Sequence, residues 1–113
     1  MALTRAVTVA PGHPDALFAL GRALQAERDF ARAAEVYRRL LAVTPKDAAA
    51  MIGLGVCLLE LDQKNEGLRY LRAAARTSAK MFGEAIAALI DAGRGRFWIR
   101  PSDAARALRD GND

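Results

Sequence analysis

The sequence superposes on itself when it is shifted by 34 residues. At that offset Ala16 falls on Ala50, Leu20 on Leu54, Gly21 on Gly55, Leu24 on Leu58, Arg38 on Arg72 and Lys46 on Lys80, in register and without a gap. The same shift carries Pro11 onto Pro45 and Arg5 onto Arg39, so the period runs back beyond the first full unit. A repeat of this length is a helix-turn-helix unit that cannot bury its apolar face alone, and stacked neighbours complete the core. The chain then reads as a single domain with a partial unit or cap at 1–13, full units at 14–47 and 48–81, and a degenerate unit with a C-terminal cap at 82–113.

What fills that core is set by composition. Ala supplies 25 of the 113 residues and aromatic residues only 6%, so small side chains must pack closely, which suits helix against helix. With 52% apolar residues and a net charge of +4 the chain is no candidate for disorder. Its length suits one small domain and argues against two independent cores, and no apolar run approaches the ~18 residues that span a bilayer. Fourteen of its 17 basic residues are Arg. Basic and acidic residues number seven and five in 1–47, five and three in 48–81, and five each in 82–113, so no segment is strongly polarised. The single Cys57 excludes an internal disulfide framework, and with the single His13 it leaves no ligand set for zinc. Residues 1–10 lack the continuous apolar core of a secretory signal, and a cytoplasmic location is expected.

Leu17, Leu20 and Leu24, with Ala16 and Ala23, recur at helical spacing behind Pro14, which a first turn tolerates; the spacing predicts a helix over 14–27. A mid-helix Gly costs ~1 kcal/mol relative to Ala, so Gly21 and Gly55 are expected where two helix backbones approach too closely for a Cβ. Asp29 is placed to cap a second helix over 30–43, whose Ala33, Ala34, Val36, Tyr37, Leu40 and Leu41 form the inward stripe; Thr44-Pro45 ends it. Asp47 is placed to cap a third helix over 48–61, and a fourth runs over 64–78 through Leu68, Leu71 and Ala75. A fifth is expected over 82–92 with Gly93 as its stop, and Ser102 is placed to cap a short sixth through Arg109. Between these two, Phe97, Trp98 and Ile99 have no helical partner in their own segment and are expected to fold back as a C-terminal cap. Residues 3–10 align with the last turns of a second helix, Leu3 at the place of Tyr37 and Val9 at that of Val43. Either they cap the solenoid or another molecule covers the face they leave open.

In these features the sequence resembles the tetratricopeptide repeat family. The family pattern appears as Leu17, Leu20-Gly21, Leu24, Ala33, Tyr37 and Pro45, and again as Met51, Leu54-Gly55, Leu58, Gly67, Leu71 and Ala79. Leu17 and Met51 stand where the family has Trp, Gly67 replaces its Ala, and Ala79 its closing Pro. The resemblance covers residues 14–81. It implies an all-α solenoid of stacked antiparallel helix hairpins, with the first helix of each pair lining a concave groove. On that resemblance the groove residues are Phe18, Arg22 and Gln25 from the first unit and Ala49, Ile52, Val56 and Leu59 from the second. Such a groove is apolar with one cation. It suits a peptide or helix of another protein that sets aliphatic side chains against Ile52 and Val56 and a carboxylate or carbonyl on Arg22. The alternative is that Ile52, Val56 and Leu59 are core residues beneath the third unit. The carboxylate clamp of some family members, built from paired Lys and Asn, is absent, since Phe18, Arg22, Ile52 and Val56 hold its places. The run from Met51 to Cys57 is similar to one in bacterial secretion chaperones of the family, which implies a secretion-system component as a possible partner. Richness in Ala and Arg fits a bacterial GC-rich genome.

Arg69, Arg72 and Arg76 fall on one helix face, and Arg38 stands one repeat from Arg72; together they form a basic ridge on the outer helices, either simply solvated or facing an acidic partner. Arg94, Arg96 and Arg100, interleaved with Phe97 and Trp98, have the makings of a single-stranded nucleic-acid contact, although Asp91 and Asp103 flank them. Glu27 with Asp29 and Glu60 with Asp62 sit at helix ends, where acids serve as caps, and no nucleophile and base stand beside them. No catalytic, cofactor or metal-ligating residues are expected. The sequence therefore reads as a non-enzymatic protein-binding adaptor or chaperone. Self-association through the incomplete first unit and RNA binding through residues 94–100 are the alternatives.

Overall fold

In the computed structural model, residues 13–93 and 101–109 are described. Six helices follow one another among them: α1 Pro14–Ala26, α2 Phe30–Val43, α3 Ala48–Glu60, α4 Lys64–Ala75, α5 Ala79–Gly93 and α6 Pro101–Arg109, with no strand among the described residues. The partial unit or cap expected at 1–13 lies, but for residue 13, outside the described residues, as do Phe97, Trp98 and Ile99 of the C-terminal cap and Arg94, Arg96 and Arg100.

Local chemistry places the helix ends. Pro14 opens α1, where its missing N–H costs nothing, and Asp15 stands in the first turn at the positive end of the helix dipole. The Arg32 N–H donates to Asp29 Oδ1 (3.4 Å) and the Ala50 N–H to Asp47 Oδ1 (3.1 Å), so both expected caps form. The two hairpin turns repeat one another. Arg28 (φ 63°) and Asp62 (φ 68°) stand one period apart in the left-handed region. Asp29 N–H then donates to Leu24 O (2.9 Å) and Gln63 N–H to Leu58 O (2.8 Å), the same closing bond across each helix end.

The period fails at the next junction. α4 stops at Ala75 instead of 78, and α5 begins at Ala79 instead of 82. Thr44 and Ser78 occupy the same repeat position, but the residue that follows differs. Pro45 keeps Thr44 out of the helical region, at φ −128° and ψ 82°, and the Thr44 hydroxyl donates back to Leu40 O (3.0 Å). Ala79 imposes no such restriction. Ser78 Oγ accepts from the Met81 N–H (3.1 Å), which starts the helix at once, while the Thr77 hydroxyl donates to Ala74 O (2.7 Å) at the end of α4.

The core divides in two along the stack. Leu17, Leu20 and Leu24 of α1 meet Ala33, Tyr37 and Leu40 of α2 and Leu54, Cys57 and Leu58 of α3; beyond them Leu59, Leu71, Ala85, Leu89, Ala104 and Leu108 gather where α5 and α6 cover α3 and α4. The glycines differ in what they accommodate. A Cβ on Gly21 would lie 2.8 Å from the Tyr37 ring and one on Gly53 2.5 Å from it, so both positions are cleared for an aromatic ring and not, as expected of Gly21, for a second backbone. The expected backbone approach occurs at Gly55, where a Cβ would stand 3.0 Å from Gly67 O and one on Gly67 2.9 Å from Gly55 O.

Candidate functional site

The first helices of the three hairpins, α1, α3 and α5, adjoin, and a cavity of about 410 Å³ lies between them. Each wall is a single helical stripe. Phe18, Arg22 and Gln25 come from α1, Ala49, Ile52, Gly53 and Val56 from α3, and Met81, Glu84, Ala87, Ala88 and Asp91 from α5, with Tyr37 of α2 beneath. Spacings of three, four and seven residues put these side chains one above another.

Six of the seven groove residues expected from sequence line this cavity; Leu59 does not. Leu59 is 3% exposed and packs with Leu71, Ala85 and Leu89, because α5 covers that end of α3. Its repeat counterpart Gln25 stays half-buried at the groove. The α5 wall was not anticipated, and it changes the groove's character from apolar with one cation to one that also carries two carboxylates. Strict extension of the period would set Ile86 and Ile90 beside Ile52 and Val56. The early start of α5 displaces the stripe by two residues, so that Glu84, Ala88 and Asp91 face the cavity while Ile86 and Ile90 pack against the second core.

The aromatic side of the groove is tied together. Phe18 and Tyr37 meet edge to face, centroids 6.2 Å apart at 64°, and the Arg22 guanidinium stands 5.8 Å from the Phe18 ring centroid. The Tyr37 hydroxyl donates to Gln25 Oε1 at 2.9 Å. Burial, and after it the neighbouring Cys57, hold the Tyr37 phenol well above its ordinary range against a smaller opposing effect of Arg22. It is therefore a fixed neutral donor. Burial first, and then Glu60, push the Cys57 thiol up to about 12. Fully buried and protonated, Cys57 packs as a small apolar side chain and is no nucleophile at neutral pH. Among the described residues no group of three or more His, Cys, Asp or Glu stands together to hold a metal ion, and no helix is long and apolar enough to cross a membrane.

The expected basic ridge is interrupted. Arg69 and Arg76 are exposed, and Arg38 places its guanidinium 3.3 Å from Glu66 Oε2, a surface pair worth little by itself. Arg72, by contrast, is only 9% exposed, because α6 lies over it. Its Nη1 donates a long bond (3.5 Å) to Ala107 O, in the last turn of α6, where carbonyls lack intrahelical partners and the dipole favours a cation. Arg72 therefore anchors the C-terminal helix instead of continuing a solvated face.

Hairpins stacked so that one helix of each faces a shared cavity define a helical-repeat solenoid. The family model described as Tetratricopeptide repeat matches residues 18–82, more than half of the chain, and takes in the α1 and α3 walls of the groove but of the α5 wall only Met81. The chain belongs to the tetratricopeptide repeat family, whose repeats generally mediate protein–protein interaction and which is typically non-enzymatic. A comparison with curated proteins found no match.

Proposed function

We propose that this chain is a protein-binding adaptor or chaperone that takes a peptide or helix segment of a partner protein in the groove between α1, α3 and α5. The observation that carries this reading is the cavity of about 410 Å³ lined by Phe18, Ile52 and Val56 together with Arg22 and Gln25. These apolar side chains remain partly exposed after the solenoid has closed, and each aliphatic side chain buried against them contributes about 1.5–3 kcal/mol before ordering costs. The reduced, buried Cys57 suits a cytoplasmic setting. The Met51 to Cys57 run supports a chaperone of the secretion type, with a secretion-system component as cargo.

The test is a pull-down from nuclease-treated lysate of the source cell with the wild type and with Ile52→Arg, read by mass spectrometry. A partner protein lost in the variant is the expected result. Partners that survive Ile52→Arg would move the binding site off the groove. Recovery of the chain alone would favour self-association, which sedimentation then decides, since a mass of 12.2 kDa at every concentration excludes it.

A further inference from the structure

The groove changes sign from one wall to the other. α1 brings the Arg22 guanidinium, exposed at the rim and 5.8 Å from the Phe18 ring centroid, a group that pairs with carboxylates. α3, in the middle, brings Ile52 and Val56 and no charge. α5 brings Glu84 and Asp91, seven residues and ~10 Å apart along the helix. The acidic wall stands in a chain of net charge +4, so it is a local departure from the molecule's overall field.

Resting on the groove reading above, we propose that the partner segment is itself bipolar: an acidic side chain on Arg22, aliphatic side chains over Ile52 and Val56, and a Lys or Arg against Glu84, with Asp91 extending the acidic wall. The charges then fix the direction in which the segment crosses the groove. Adjacent helix axes stand roughly 8–10 Å apart, so the three walls span roughly 16–20 Å. An extended strand rising ~3.3 Å per residue covers that in about five or six residues, with every second side chain facing the floor. A segment laid in the opposite direction brings its cation to Arg22 and its carboxylate to Glu84, and like charges then meet at both ends. Phosphate-rich ligands are repelled by the same α5 wall.

A displayed library of random octapeptides, selected on the immobilised full chain and on Ile52→Arg, Glu84→Arg and Arg22→Glu, tests this, with each variant's melting curve as the folding control. The wild type is expected to enrich peptides ordered acid, aliphatic, base. Glu84→Arg should drop the base from its selected pool and Arg22→Glu the acid. A synthetic peptide from the wild-type pool should bind Glu84→Arg about tenfold more weakly and lose affinity as salt is raised. Its charge-swapped counterpart should bind the wild type more weakly still. Pools with one charge pattern on wild type, Glu84→Arg and Arg22→Glu, or equal binding of the swapped peptide, would overturn the bipolar assignment while loss of the pool on Ile52→Arg keeps the groove. A pool that survives Ile52→Arg, or no enrichment on the wild type, would overturn both.

Discussion

The two full hairpins share a frame and close it differently. In the first, α1 and α2 meet around a large ring: Tyr37 is wholly buried and fills the space left by Gly21 on one side and Gly53 on the other. In the second, Leu71 replaces the ring and Gly67 replaces Ala33, so α3 and α4 approach until Gly55 and Gly67 each stand against the other's carbonyl. Small residues at equivalent positions thus serve opposite ends, one admitting a bulky side chain and the other removing all bulk. Because Tyr37 also touches Gly53 of the next hairpin, the first closure binds two units together, while the second is internal to its own.

The comparison breaks first at Tyr37. Tyr37→Ala removes a buried ring shared by α1, α2 and α3 and is expected to cost about 3–5 kcal/mol by denaturant unfolding; a loss below about 1 kcal/mol would mean that the ring does not join the units. Gly55→Leu is expected to cost about 3 kcal/mol through overpacking, since its new side chain meets the Gly67 carbonyl, which no rotamer change relieves. An unchanged melting temperature would refute the close approach.

Alkaline titration separates the cores by their acids. Tyr37 and Cys57 both lie in the first core and hold their protons more tightly folded than unfolded. The unfolded thiol ionises first, near pH 8.5–9. Stability should therefore fall as pH rises above about 9 towards 12, by up to roughly 1.4 kcal/mol per pH unit for Cys57 alone. Cys57→Ala should flatten that slope, and a slope unaltered by the substitution would contradict the assignment. The smallest effect concerns the turns. Asp62→Gly relieves a left-handed residue and should stabilise by about 0.5–1 kcal/mol in thermal melts. Arg28→Gly relieves the same strain but gives up the guanidinium's contact 5.3 Å from the Phe30 ring centroid, so its gain should fall short of the full relief. A gain of about 1 kcal/mol at Arg28 would show that this contact contributes nothing.

Much of this architecture is legible in the sequence because its determinants are local. Asp29 and Asp47 cap the helices they precede, and Leu17, Leu20 and Leu24 mark their buried face by spacing alone. What escapes is what depends on a later element. Gln25 and Leu59 hold the same repeat position, yet only Leu59 is buried, because α5 covers it. Arg72 lies on the same helical stripe as Arg69 and Arg76, and only the docking of α6 removes it from solvent. The acidic wall follows from the Ser78-Ala79 junction, where absence of a proline lets Ser78 act as a cap and turns Glu84 and Ala88 to the groove in place of two isoleucines, with Asp91 beyond them.

The bond between Tyr37 and Gln25 has a consequence for how such a groove diversifies. Gln25 faces the ligand space, and its amide also holds the hydroxyl of the ring at the centre of the core. A change there that suits a new ligand also disturbs the fold, whereas Arg22 and Glu84, exposed at the rims, are open to change without that penalty. Divergence in binding preference should therefore proceed at the two charged edges while Gln25 stays fixed, so that related chains sharing this ring would differ in the charges they recognise long before they differ in the shape they accept.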